Sequence, residues 1–127
     1  MQLVHIGLVS TSEEHADRFF GELLGLRKTR TSQLPRELAE GLFGVDQDLG
    51  IAYYGDAGMV FEVFFTGWSE PSSKKISHTC IEVEDQGEFL GRCREMGYEV
   101  REVTKGDKVV VFIADADGNL FEVKGAS

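Results

Sequence analysis

The chain has 127 residues, 42% of them hydrophobic, and a formal net charge of -9. That length carries one compact domain, or two small repeated modules sharing a core, and excludes two large independent domains. The acidic balance works against nucleic acid or an anionic membrane as partner, because both need a basic patch, and no apolar run approaches the roughly 20 residues that span a bilayer.

The opening MQLVHIGL lacks the charged and apolar regions of a signal peptide, so a cytoplasmic protein is expected. LVHIGLV, from Leu3 to Val9, reads as the first strand. A helix follows, with Ser10 and Glu13 or Thr11 and Glu14 as the capping box, and with Ala16, Phe19, Phe20, Leu23 and Leu24 on one face. Gly25 ends it. A strand over Leu26 to Ser32 and a short helix in RELAEGLF precede IAYY and GMVFEVFFTG, two strands joined through GDAG as a hairpin.

WSEPSSKK, about residues 68–75, has the composition of a linker. Beyond it ISHTCIEVE is a strand, and Asp85 with Glu88 caps a helix whose apolar face carries Phe89, Leu90, Cys93 and Met96 before Gly97 ends it. YEVREV, KVVVFIA and NLFEVK supply three more strands, with KGDK and ADADGN as turns. The two cysteines, Cys80 and Cys93, match neither a zinc pattern nor a disulfide framework and are expected to be buried small apolar residues in a reducing compartment.

Each half is therefore strand, helix, strand, strand, strand, with one module over about 1–67 and the other over about 76–125. His5 and His78 stand at the third position of the first strand of their halves, and FEV closes both halves with Glu62 and Glu122. Side chains alternate along a strand, so each Glu points away from the Phe and Val that flank it, and each His away from its apolar neighbours. If the apolar face of each sheet packs on its helix, all four polar residues project from the other face. Two imidazoles and two carboxylates suit a divalent cation of the Mn, Fe, Co, Ni or Zn group, and the absence of thiolate disfavours a closed structural zinc site. Other polar residues are assigned plainer roles: His15 on the helix surface, Asp117 to Asn119 in a hairpin turn, and Lys105 and Lys108 as solvated flanks of a turn.

FFGELLGL, from Phe19 to Leu26, resembles the helix ending in an aromatic pair and a Leu-Gly turn of the vicinal oxygen chelate superfamily. FIADADGNLFEV, from Phe112 to Val123, is similar to that family's closing strand, turn and strand with its metal-binding glutamate. With His5 and His78 in place, the chain is identified as a member of this superfamily, which contains glyoxalase I, methylmalonyl-CoA epimerase, extradiol dioxygenases and the fosfomycin and bleomycin resistance proteins. The resemblance implies an α+β fold of two tandem βαβββ modules whose curved mixed sheets enclose a metal cavity. It also implies a divalent metal (Ni, Co, Zn, Mn or Fe) on His5, Glu62, His78 and Glu122, and a homodimer whose site is completed within one chain or across two subunits.

This ligand set is most similar to that of small bacterial glyoxalases I. In such an enzyme the metal polarises vicinal oxygens of a small substrate, while Glu122 or Glu62 moves a proton between adjacent carbons, a lyase or isomerase reaction. Methylmalonyl-CoA epimerases, one alternative, typically carry Gln where Glu62 stands. A non-catalytic ligand-binding or antibiotic-resistance protein of the same fold is the other alternative. The glutathione-binding members have an Arg shortly after the first metal His and an Asn shortly after the first metal Glu, whereas Val9 and Thr66 stand at the matching places here.

Overall fold

The computed structural model describes residues 3–68 and 77–126, so all of the expected linker but Trp68 lies outside the described residues. The chain divides into two compact units, Met1–Ser69 and Glu70–Ser127. Each is built on one four-stranded mixed sheet, which makes the chain an α+β protein of two βαβββ modules.

In the first unit β1 (Ile6–Ser10) leads into α1 (Glu13–Ala16), which continues as a π-helical stretch over Asp17–Leu23 and then reaches β2 (Lys28–Leu34). α2 (Arg36–Phe43) precedes the hairpin of β3 (Leu49–Asp56) and β4 (Met59–Phe65). The sheet order is β1-β4-β3-β2, with β1 parallel to β4 and the other pairs antiparallel. A parallel pair needs a long crossover, which the helix, β2 and β3 together supply. Helix and sheet meet through aromatics: Phe20 stacks on Tyr54 at 5.3 Å and lies 5.2 Å from Phe61, with Phe19 and Leu23 buried beside it. Burying such rings contributes about 1.5–3 kcal/mol each.

The second unit repeats the plan. β5 (His78–Val83) is followed by α3 (Gln86–Glu95), β6 (Glu99–Lys105), β7 (Lys108–Ala114) and β8 (Leu120–Gly125), in the order β5-β8-β7-β6 with β5 parallel to β8. Leu90 and Cys93 of α3 are buried, as are Ile81, Val111, Ile113, Phe121 and Val123 of the sheet. As expected, the Asp85 carboxylate caps α3, accepting from Glu88 N at 3.0 Å.

Several expectations are corrected. The first strand begins at Ile6 rather than Leu3, because its ladder to β4 starts at the pair Ile6 and Phe61, and Leu3 and Val4 are exposed. His5 therefore precedes β1 by one residue, and His78 opens β5 rather than standing third in it. The cap of α1 is neither Ser10 nor Thr11 but Ser12, whose hydroxyl accepts from His15 N at 3.2 Å. The other two hydroxyls are used elsewhere: Ser10 donates to Ser12 O at 3.1 Å and Thr11 to Trp68 O at 3.0 Å. Cys80 is exposed, not buried, because it falls on the face of β5 opposite Ile81.

Candidate metal centre

Glu62 sits in the middle of β4, in register with Gly7 of β1 on one side and Tyr53 of β3 on the other. Its neighbours Phe61 and Val63 are fully buried on the helix side, which turns the carboxylate to the opposite face, where its side chain is 15% exposed. His5 lies two residues before Gly7 and leans over that same face. Its Nε2 stands 3.5 Å from Glu62 Oε1.

The second unit reproduces this step by step. Glu122 of β8 is in register with Cys80 of β5 and Phe112 of β7, between buried Phe121 and Val123. His78, two residues before Cys80, places Nε2 3.7 Å from Glu122 Oε1. Relative to the ladder the two histidines are thus equivalent, although their strands begin differently. The glutamates are partly rather than fully buried, with the Glu122 side chain 23% exposed, so each carboxylate keeps some contact with water.

Each pair has the spacing of two donors to one ion. Two donors bound to one ion at about 2.1 Å lie about 3.0–3.4 Å apart for octahedral or tetrahedral angles, a few tenths of an ångström inside the observed separations. Imidazole with carboxylate also suits the divalent metals of the first transition row. Among the described residues no group of three or more His, Cys, Asp or Glu side chains is placed to hold an ion.

The surroundings of the two pairs differ, and the sequence reading missed this. The Tyr53 hydroxyl hydrogen-bonds the Glu62 carboxylate, which pushes the phenol's pKa up, and the Arg30 guanidinium lies over the Tyr53 ring at 4.1 Å. Tyr53 and Arg30 share the Glu62 face because they are paired across β2 and β3. Phe112 occupies the position matching Tyr53 and packs edge-on against His78 at 4.9 Å. The signal for Tyr53 was present in IAYY, where it alternates with the buried Ala52 and Tyr54, but its partner across the sheet required the register.

ADADGN forms a self-bonded turn beneath β8. The buried Asp115 carboxylate accepts from Asp117 N, Asn119 N and Asn119 Nδ2 at 2.8–2.9 Å, and Gly118 has φ 86°, as a tight turn requires. Burial pushes the Asp115 pKa up while those donors pull it down. These donors occupy the carboxylate, so the turn is structural and sets where β8 begins. Lys105 and Lys108 pair across the exposed tip of β6 and β7, and His15 is exposed on α1. At the positions matching the glutathione contacts, the Val9 side chain has no polar atom and the Thr66 hydroxyl donates to Ser10 O at 3.4 Å.

Among the described residues no helix is long and apolar enough to cross a membrane. No curated protein matches the chain. Solved structures share its fold at low identity. A glyoxalase family protein from Enterococcus faecalis matches with TM-score 0.69 and 19% identity over 96% of this chain and 95% of its own. A Glu-to-Gln mutant of the fosfomycin resistance protein FosX from Listeria monocytogenes, complexed with Mn(II) and 1S,2S-dihydroxypropylphosphonic acid, matches with TM-score 0.74 and 16% identity over 99% and 92%. The trypanothione-dependent glyoxalase I of Leishmania major gives 0.72 and 19% over 98% and 86%. The family model of the glyoxalase/bleomycin resistance protein/dioxygenase superfamily matches residues 2–123, and the chain belongs to that superfamily.

Proposed function

We propose that this protein is a cytoplasmic, metal-dependent lyase or isomerase of the glyoxalase I type, acting on a small substrate by proton transfer next to a chelated carbonyl. The observation that carries the reading is the His–Glu pair repeated at the same register in both units, His5 with Glu62 and His78 with Glu122. The two halves would join into one four-ligand centre, within a chain or across a homodimer. A divalent ion held there supplies Lewis acidity to vicinal substrate oxygens. His5 and His78 would hold the ion, and the carboxylates of Glu62 and Glu122 would offset its positive charge. One glutamate, Glu122 or Glu62, takes the proton from the carbon beside the carbonyl and returns it to the neighbouring carbon. Phe64 lies on the Glu62 face of β4, and Phe112 stands across the ladder from Glu122.

The substrate is not a glutathione adduct on this reading, because Val9 and Thr66 replace the glutathione contacts. The methylmalonyl-CoA epimerase alternative is disfavoured by Glu62. A ligand-binding protein of the same fold is the second reading, favoured by those same two positions.

Metal analysis of the purified protein tests the first reading. About one equivalent of divalent metal per site, lost in Glu122→Gln, is expected. Less than half an equivalent in both proteins, not restored by added Ni, Co or Zn, would remove the metalloenzyme. Activity of the loaded protein against glutathione hemithioacetal, methylmalonyl-CoA and catechols then sorts the reaction class, and stabilisation by a cationic drug but not by metals would favour the binding protein.

A further inference from the structure

We infer that Tyr53 is a positioning residue for Glu62, held in place by Arg30, and that the two glutamates of the proposed centre are therefore supported unequally. The inference rests on the metal-centre reading above and deepens it.

The duplication allows the two halves to be compared position by position. Across the sheet from Glu62 stands Tyr53, and across from Glu122 stands Phe112. The Tyr53 hydroxyl donates to the Glu62 carboxylate, while Phe112 has no hydroxyl and its ring packs instead on the imidazole of His78. One aromatic thus steadies a carboxylate and its counterpart steadies a histidine. Arg30 lies over the face of the Tyr53 ring, which limits the ring's rotamers and, by drawing electron density from it, strengthens the phenol as a donor. A donor fixed in this way occupies a lone pair of one Glu62 oxygen and leaves the rest of the carboxylate aimed at the face it shares with His5. Outer partners of this kind typically change metal affinity 10–100-fold when removed.

Co(II) titration of the full-length protein, followed by visible absorption and by tyrosine difference absorption, tests this. In the wild type, Co(II) binding should perturb the tyrosine spectrum, because the metal draws on the carboxylate that Tyr53 touches. Tyr53→Phe removes a single oxygen from a partly exposed ring and should bind Co(II) about 10-fold more weakly. Its tyrosine difference signal should vanish and its thermal midpoint should hardly change. Arg30→Gln keeps the hydroxyl and should show the same defect in smaller measure with the tyrosine signal retained. Affinity of Tyr53→Phe within 2-fold of wild type, or a tyrosine signal surviving in that variant, overturns the inference and leaves the metal centre standing. A wild type that takes up no Co(II) overturns the metal centre and this inference with it.

Discussion

His78 Nε2 stands 3.7 Å from Glu122 Oε1, the relationship that His5 and Glu62 adopt at 3.5 Å in the other unit. Neither pair is local in the chain. Each exists because a first strand runs parallel to a last one, with the glutamate opposite the residue two beyond the histidine.

If both pairs serve one ion, metal should stabilise the fold only while both pairs are intact. At a free metal concentration of about 100 Kd the gain is about 2.7 kcal/mol, several degrees in thermal midpoint for a chain of this size. Differential scanning calorimetry with Ni(II) should show that shift in the wild type, reversed by EDTA. It should be absent or strongly reduced in His78→Ala and equally in His5→Ala. A full shift surviving in either variant would mean that the two pairs do not share an ion.

Cys80 provides a chemical probe of the same face. It is exposed and in register with Glu122, whereas Cys93 is buried and its thiol pKa is pushed up by burial. A maleimide should therefore label one thiol per native chain quickly and the second only on unfolding, and Cys80→Ala should abolish the fast label. Metal on His78 and Glu122 should slow that labelling. Two equally fast thiols would contradict the packing of α3 on its sheet.

The repeat and the four polar residues were legible in the sequence because alternation along a strand is a local property: Phe61 and Val63 inward oblige Glu62 outward. The same logic placed Glu122, and local helix and capping signals placed α2 and the Asp85 cap. Less legible was whatever depended on a partner far along the chain. Ser12 wins the cap of α1 because Thr11 is drawn to Trp68, and Leu3 to His5 fall outside β1 because the ladder starts at Phe61. Cys80 was misplaced through its residue type, although its parity with His78 put it on the polar face. Tyr53 and Arg30 join the site only through the register of β2, β3 and β4.

Asp17 accepts from the Tyr54 hydroxyl at 2.7 Å and from Lys28 Nζ. Burial, and then the hydrogen bond to Asp17, push the Tyr54 phenol far above its ordinary 10.0, and hydrogen bonds to Glu13 and Asp17 raise Lys28 above 10.5. Both groups hold their protons more tightly folded than unfolded. Their contribution is complete below about pH 10 and is lost as pH rises through the folded values. Urea midpoints should fall from about pH 10 upward, and less steeply in Tyr54→Phe, which should also cost about 1.5–3 kcal/mol at neutral pH through the lost bond to a carboxylate. Equal slopes in the two proteins would remove Tyr54 as a source of the alkaline loss.

The hairpin that brings Tyr53 opposite Glu62 depends on two glycines that are not equivalent. Gly55 and Gly58 have φ of 103° and 101°, so alanine at either is strained by about 1–3 kcal/mol. At Gly58 a methyl group would meet open space, but at Gly55 it would stand 2.1 Å from the Met59 carbonyl oxygen, a backbone atom inside the ladder. Relief there requires β3 and β4 to part where Gly55 faces Val60, two residues from the pairing of Tyr53 with Glu62. Gly58→Ala should therefore lose only the backbone strain and bind Co(II) as the wild type does. Gly55→Ala should lose at least about 2 kcal/mol more in urea unfolding and, where it folds, bind Co(II) as weakly as Tyr53→Phe. Equal stability of the two variants would show that the turn tolerates a side chain at both places and that the register of Tyr53 on Glu62 does not depend on it.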